Sequence, residues 1–304
     1  MRNSVFLPLF LLLASPALFA QDVEPRRWTH LPSNYSVIGG GYAYTQGDVL
    51  FDPVLLVEDA EVELHAAVLS YVHAFAWQGK SARIDFTLPH MQGRWSGLLN
   101  GEFVTVRRKG IADPKIRLSI NLYGAPALTG KEFGQYHAAR TSNTVVGAAI
   151  AVTLPLGQYS PDRLINLGTN RWTIRPQIGV VHRRGPWSFE LTGSVFLYTD
   201  NNDFWMDSEL EQEPLWALQA HIIRTFGRGV WVSLSGGHGW GAKAKVNGQE
   251  KDNRSSNQVL ALSLGIPISR QQAIKLSYVN FETQRVTGIQ TDAFVLGYSY
   301  AWGR

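Results

Sequence analysis

The sequence predicts an all-β fold, a transmembrane antiparallel up-and-down β-barrel of about 12 strands, and three observations carry that expectation. Apolar and polar residues alternate one by one through repeated stretches of about 10 to 13 residues, short connections alternate with long ones, and only 17% of the 304 residues are charged. Strict alternation places apolar side chains on one face and polar ones on the other, as a half-buried strand requires. A tilted strand crossing an outer membrane takes about 9 to 11 residues, whereas strands of soluble sheets average nearer 5 to 6. Soluble chains carry roughly 25% charged residues, so something other than charge must cover the outside of this molecule.

Taken in order, the chain opens with Arg2, an apolar run from Val5 to Leu13, and then small residues leading to Ala20. This is the layout of a secretory signal peptide over residues 1–20, with a barrel expected over residues 21–304 as a single domain. No later stretch reaches the roughly 18 to 20 apolar residues that a membrane helix needs. The absence of cysteine excludes disulfides, a thiol nucleophile and a lipid anchor. A net charge of only +4 gives no argument for nucleic acid, and none is expected as a partner. Export without a helix points to the bacterial cell outer membrane, with a periplasmic or secreted β-sandwich as the alternative.

Twelve alternating segments lie near 33–45, 61–77, 81–90, 112–123, 143–155, 171–182, 186–198, 214–226, 229–241, 255–266, 272–281 and 290–302. In the third, Ala82, Ile84, Phe86 and Leu88 alternate with Arg83, Asp85 and Thr87; in the last, Phe294, Leu296, Tyr298, Tyr300 and Trp302 form the apolar row. The joins at 78–80, 183–185, 227–228 and 267–271 are short, and those at 46–60, 91–111, 156–170, 199–213, 242–254 and 282–289 are long. Tight periplasmic turns and wide external loops produce this rhythm. The connection 124–142 breaks it. Either it is an extended turn with a helical stretch around Lys131 to Ala139, or the parity slips and Phe103 to Val106 extend a strand.

Several stretches resemble the outer-membrane transporter-like family named for the MetA pathway of phenol degradation. They are RRWTHLP (26–32), YAYTQGDVLFDPVL (42–55), DPKIRLSINLYGAPAL (113–128), LPLGQYSPDRLINLGTNRW (154–172), DNNDFW (200–205), EQEPLWALQAHIIRTF (211–226) and YSYAWG (298–303). The resemblance covers most of the chain beyond residue 20, in order, and implies an outer-membrane barrel linked to uptake of phenolic or related hydrophobic compounds. One departure lies at the end, where Gly303 and Arg304 follow the aromatic Trp302 that the barrel-assembly machinery would engage.

If the apolar faces meet lipid, the opposite faces put Arg83, Asp85, Arg117, Asn121, Arg175, Gln177, Glu190, Gln219, His221 and Lys275 along the lumen. These are the candidates for the substrate path, setting selectivity as side-chain rings do in pores or pairing with one another across the barrel. On this register Phe86 and Leu118 face lipid, and Asn121 faces a lumen able to take a larger side chain. The turn-rich loop 161–172 supplies gating candidates Asp162, Arg163, Asn166, Asn170 and Arg171, its alternative being a compact external Ω-loop. Asp200, Asp203, Asp207, Glu209, Glu211 and Glu213 form an acidic stretch read as solvated, so no metal and no cofactor is assigned.

No HExxH, Walker or nucleotide motif occurs, no strand histidine has a serine two residues away, and no enzyme is expected. Twelve strands tilted by about 40° enclose a backbone diameter of roughly 24 Å, and inward side chains reduce this to about 10 to 12 Å unless a loop plugs it. Only about a dozen residues separate the expected cleavage site from the first strand, too few for an energised plug domain. The expected function is therefore passive uptake of small hydrophobic or aromatic, phenol-like compounds by an outer-membrane channel or transporter. The alternative is a plugged receptor or structural barrel without solute flux. Expected partners are a small-molecule substrate, outer-membrane lipid, lipopolysaccharide and the barrel-assembly machinery.

Overall fold

The computed structural model describes residues 23–50, 57–251, 253–283 and 288–303. The signal-peptide reading over 1–20 lies outside them. The chain forms β1 (Tyr35–Leu50), β2 (Val57–Trp77), β3 (Lys80–Leu99), β4 (Glu102–Ile111), β5 (Lys115–Tyr123), α1 (Gly130–Ala138), β6 (Ser142–Thr153), β7 (Thr173–Arg184) and β8 (Trp187–Tyr198). There follow β9 (Asn201–Phe204), β10 (Ser208–Gln212), β11 (Leu215–Thr225), a 3₁₀ turn (Gly227–Gly229), β12 (Trp231–Gly241), β13 (Ala244–Val246), β14 (Gln249–Glu250), β15 (Ser255–Pro267), β16 (Gln272–Thr283) and β17 (Gly288–Gly303).

Among the described residues twelve strands, β1, β2, β3, β5, β6, β7, β8, β11, β12, β15, β16 and β17, pair antiparallel in that order, and β17 returns to β1. The closing pair runs in register from Tyr35 opposite Gly303 to Leu50 opposite Gly288. Closure leaves no strand edge, so the backbone donors and acceptors of every spanning segment are satisfied without water. Each of the twelve strands overlaps one of the segments expected from alternation.

Alternation then acts as predicted. Ile84, Leu118, Ile178, Phe189, Leu218, Ile222, Leu260 and Leu296 are exposed on the outside, where lipid replaces water as their solvent. Trp77, Trp187 and Trp302 stand exposed near the short-turn end, and Trp172, Trp216 and Trp240 near the other, forming the two interfacial aromatic belts of a membrane barrel. At the short-turn end Gln78 and Gly79 both have positive φ (49° and 73°), the geometry of a two-residue turn that follows the twist of its strands.

The connection 124–142 lies at the periplasmic end and carries α1, so the parity does not slip. Phe103 to Val106 do belong to a strand, β4, but it folds back on the outer half of β3 and extends the wall above the membrane. The stretch 91–111, expected as a loop, is thus a hairpin. Its turn is Asn100–Gly101 (φ 53° and 80°), an Asn-Gly signal the sequence offered plainly. The expected loops at 199–213 and 242–254 likewise supply a small external sheet in the order β14-β13-β10-β9. The acidic stretch lies largely within it, with Glu211 opposite Lys245.

Candidate functional site: a lumen occupied by the N-terminal segment

All ten lumen candidates lie on inward faces. Asp85, Arg117, Asn121, Arg175, Gln177, Glu190, Gln219 and His221 are buried, while Arg83 and Lys275 keep partial exposure. The segment before β1 covers part of this wall, lying against Arg117, Asn121 and Glu190. Residues 23–34 enter the barrel from the periplasmic end and lie against β5, β6, β7, β8 and β11. The segment is too short for the energised plug domain that its length argued against, yet it occupies part of the lumen, with Trp28 and Arg27 buried there.

The anchor is Trp28, exposed by only 1%. Its indole packs with Ala125, Val145, Ala149 and Val181, and its Nε1 donates to Thr192 Oγ1 at 2.8 Å. The slot exists because the wall has no side chain there. A Cβ at Gly147 or Gly179 would overlap the indole ring itself. Asn121 Oδ1 flanks the same slot, so the room expected beside Asn121 is already taken.

Arg26 turns the segment, with φ 68° in the left-handed region. Its backbone N–H donates to Glu190 Oε2 at 2.9 Å, its Nη2 donates to Thr225 Oγ1 at 3.0 Å, and its guanidinium lies 4.9 Å from the Trp231 ring centre. Just past that turn Arg27 Nη2 donates back to Glu24 Oε2 at 2.8 Å, and Arg117 Nη1 lies 3.8 Å from the same oxygen. Arg117 also holds Asp85 through both carboxylate oxygens, Nη2 to Oδ1 at 3.1 Å and Nε to Oδ2 at 3.2 Å, and Arg83 Nε pairs with Asp85 at 3.3 Å.

Arg83, Asp85 and Arg117 are thus brought together, whereas Arg175 stands apart across β6. It lies 4.2 Å from the Phe196 ring centre and donates to Ser194 Oγ. Cross-strand pairing also joins His221 Nδ1 to Ser235 Oγ at 2.8 Å, a serine-histidine contact invisible to a search by chain spacing. Both residues are at most 2% exposed, so they brace the wall.

The opposite wall differs. Inward residues of β16, β17, β1 and β2, among them Lys275, Val295, Gly297, Ser299, Gly41, Ala43, Val68 and Ser70, are only half-buried. The segment leans to one side and leaves this strip facing open lumen.

At the periplasmic mouth the segment is latched by α1. His30 is 5% exposed, its Nε2 is hydrogen-bonded to the Pro126 carbonyl at 2.8 Å, and its Nδ1 lies 3.1 Å from His137 Nε2. Phe133 and Tyr136 pack on the same ring. Burial lowers the His30 pKa to about 4, the Pro126 hydrogen bond opposing and a charge on His137 reinforcing the shift. Burial, then Arg183 and Arg140, lowers His137 as well. A released His30 protonates near its ordinary 6.5, so the latch is at full strength above that pH and weakens progressively as pH falls towards about 4. Channel current in planar bilayers is expected to rise between pH 7.5 and 4.5, and His30→Gln to flatten the response. A current indifferent to pH in the wild type would exclude the latch as a titrating element.

The external mouth is capped by residues 154–172. Leu167 reaches across the lumen to pack with Val49, Val62, Leu64, Ala66, Met91, Ala112 and Ile289. Asp113 clasps both ends of the loop, accepting from Gly157 N–H at 2.8 Å and from Thr169 N–H at 2.8 Å. Of the gating candidates, Asp162 and Arg163 are exposed at the tip. Asn166 staples the loop to Ser160, and Asn170 Nδ2 donates to Asn201 Oδ1 at 2.8 Å. Arg171 is buried, bonded to Gln212 and 4.4 Å from the Tyr198 ring centre. The loop is compact, held by its own hydrogen bonds, and turns Leu167 into a buried cluster.

A family model described as "Putative MetA-pathway of phenol degradation" matches residues 32–297. Among solved structures, the COG4313 outer membrane channel from Pseudomonas putida F1 aligns with a TM-score of 0.76 at 19% identity, covering 92% of this chain and 100% of that one. The transport unit of the autotransporter AIDA-I from Escherichia coli aligns with a TM-score of 0.52 at 8% identity, covering 94% of each chain. No curated protein matches the chain. At these identities the structural likeness shows the fold, a twelve-stranded outer-membrane barrel, and the family match shows lineage over most of the length. The fold is that of an outer-membrane β-barrel, and the chain belongs to the family described as the putative MetA pathway of phenol degradation.

Proposed function

We propose that the protein admits small hydrophobic or aromatic, phenol-like solutes passively through the outer membrane. The observation that supports this reading best is the half-buried strip along β16, β17, β1 and β2, where Val68, Ala43, Val295, Gly41 and Gly297 face the lumen beside Lys275. Lumens of water-filled porins are polar, and a strip of small, weakly polar residues suits an apolar solute better than an ion. The family description, which names phenol degradation, supports an aromatic substrate class. Lipid and lipopolysaccharide would contact the outer belts, and the barrel-assembly machinery would insert the chain.

The second reading, a plugged receptor or structural barrel without flux, is favoured by the anchorage of Trp28 on Thr192. Uptake of labelled phenol by cells with and without the protein separates the two. Faster uptake with the protein, together with a small single-channel current and a gel mobility that shifts on boiling, is the expected result. Equal uptake and no current would leave the receptor.

A further inference from the structure

We propose that Glu24 is a built-in surrogate for a solute carboxylate, and that Arg27, Arg117 and Lys275 form a binding site for an apolar monocarboxylate that takes its place. The proposal rests on the channel reading above and narrows its substrate class. The two arginines are fixed parts of the interior, 4% and 6% exposed, whereas the Glu24 side chain is 49% exposed. The receptor is built and the carboxylate is its removable part.

The engagement is also incomplete. Both arginines approach the same oxygen, Oε2, and Arg27 Nη1 is buried with no hydrogen-bond partner. A guanidinium is shaped to grip both oxygens of a carboxylate side by side; a glutamate tethered to the chain uses one prong, and an untethered acid is free to use two. Arg83, Lys115 and Lys275 add favourable potential at the carboxylate position. Exchange needs little movement. Arg26 is pinned to Glu190 through its backbone and Trp28 to Thr192, so the Glu24 side chain can leave the arginines while both anchors stay seated.

The apolar remainder of the ligand has a matching surface. Lys275 pairs across the sheet with Gly297, Gly297 with Gly41, and Gly41 with Val68. A Cβ at Gly41 would meet only one backbone oxygen, at 3.7 Å. An acid with its head on Lys275 and the arginines would therefore lay its ring or chain along this uncovered wall.

The test is calorimetric titration of the full-length protein in lipid nanodiscs with benzoate, octanoate and neutral benzamide. Glu24→Gln removes the internal competitor and is expected to tighten benzoate or octanoate binding by about ten-fold, the scale of one hydrogen bond to a charged group, with benzamide unchanged. Adding Lys275→Met should reverse the gain. A gain for benzoate alone assigns ring acids to the site, one for octanoate alone assigns chain acids, and either supports it. Acid affinity unchanged in Glu24→Gln, or an equal gain for benzamide, would overturn the proposal and leave Glu24 as a tether. Phenol uptake by cells carrying the same variant keeps the two claims separate. Uptake without the affinity gain sinks only the carboxylate site, and the gain without uptake sinks only the channel.

Discussion

Trp28→Ala is expected to open the barrel. The indole is 1% exposed, in one cluster with Ala125, Val145, Ala149 and Val181 and against two glycine notches, and truncating a buried tryptophan to alanine costs about 3 to 5 kcal/mol. Against this anchor stands the freedom that the ordered segment recovers on release, about 1 to 2 kcal/mol for each backbone unit. With the anchor removed, the remaining polar contacts of Arg26 and His30 have to hold the segment by themselves, and each contributes only about 0.5 to 1.5 kcal/mol for an uncharged donor or acceptor, or up to about 3 where charge assists. Single-channel conductance should increase several-fold. Gly179→Leu should give the same phenotype from the other side, since its side chain fills the slot that the indole occupies. Thr192→Val, which removes only the acceptor for Nε1, should have a smaller effect. If the first two variants assemble, as judged by the gel shift on boiling, and conduct like the wild type, the segment does not control the bore.

Leu118→Arg should impair assembly, at a cost of about 2 to 4 kcal/mol for a charge facing mid-bilayer. Leu118 is 41% exposed on the outer face of β5, between the lumen-facing Arg117 and Ser119. Its control is Ser299→Arg, on the uncovered inner wall between Gly39 and Ala273, where the long side chain can remain in water. The folded fraction, read from heat-modifiable mobility across a urea series, should fall for the first variant and hold for the second. Equal losses would mean that the faces are misassigned by one residue. Asn121→Arg is no longer a neutral control, because Asn121 is 8% exposed beside the Trp28 slot and a larger side chain there would press on the plug.

The strands, their faces and the order of turns were legible because each is written locally. A strand in lipid must show an apolar residue at every second position, so Ile116, Leu118 and Ile120 declare their face without reference to any distant residue. The inward direction of Arg117 and Glu190 followed from the same period. Two more local signals, Asn100–Gly101 and Asn247–Gly248, would have revealed the external hairpins, since both pairs adopt the positive φ that such turns demand. The plug is another matter. Residues 23–34 have no period, and Trp28 by itself is one more tryptophan near an interface. Its slot is made by Gly147, Gly179 and Thr192 on three strands, and Arg26 finds Glu190 and Thr225, 164 and 199 positions away. Only closure of the barrel carries those groups around a common axis to face the segment, because periodicity fixes which way a side chain points but not what stands opposite it across the lumen.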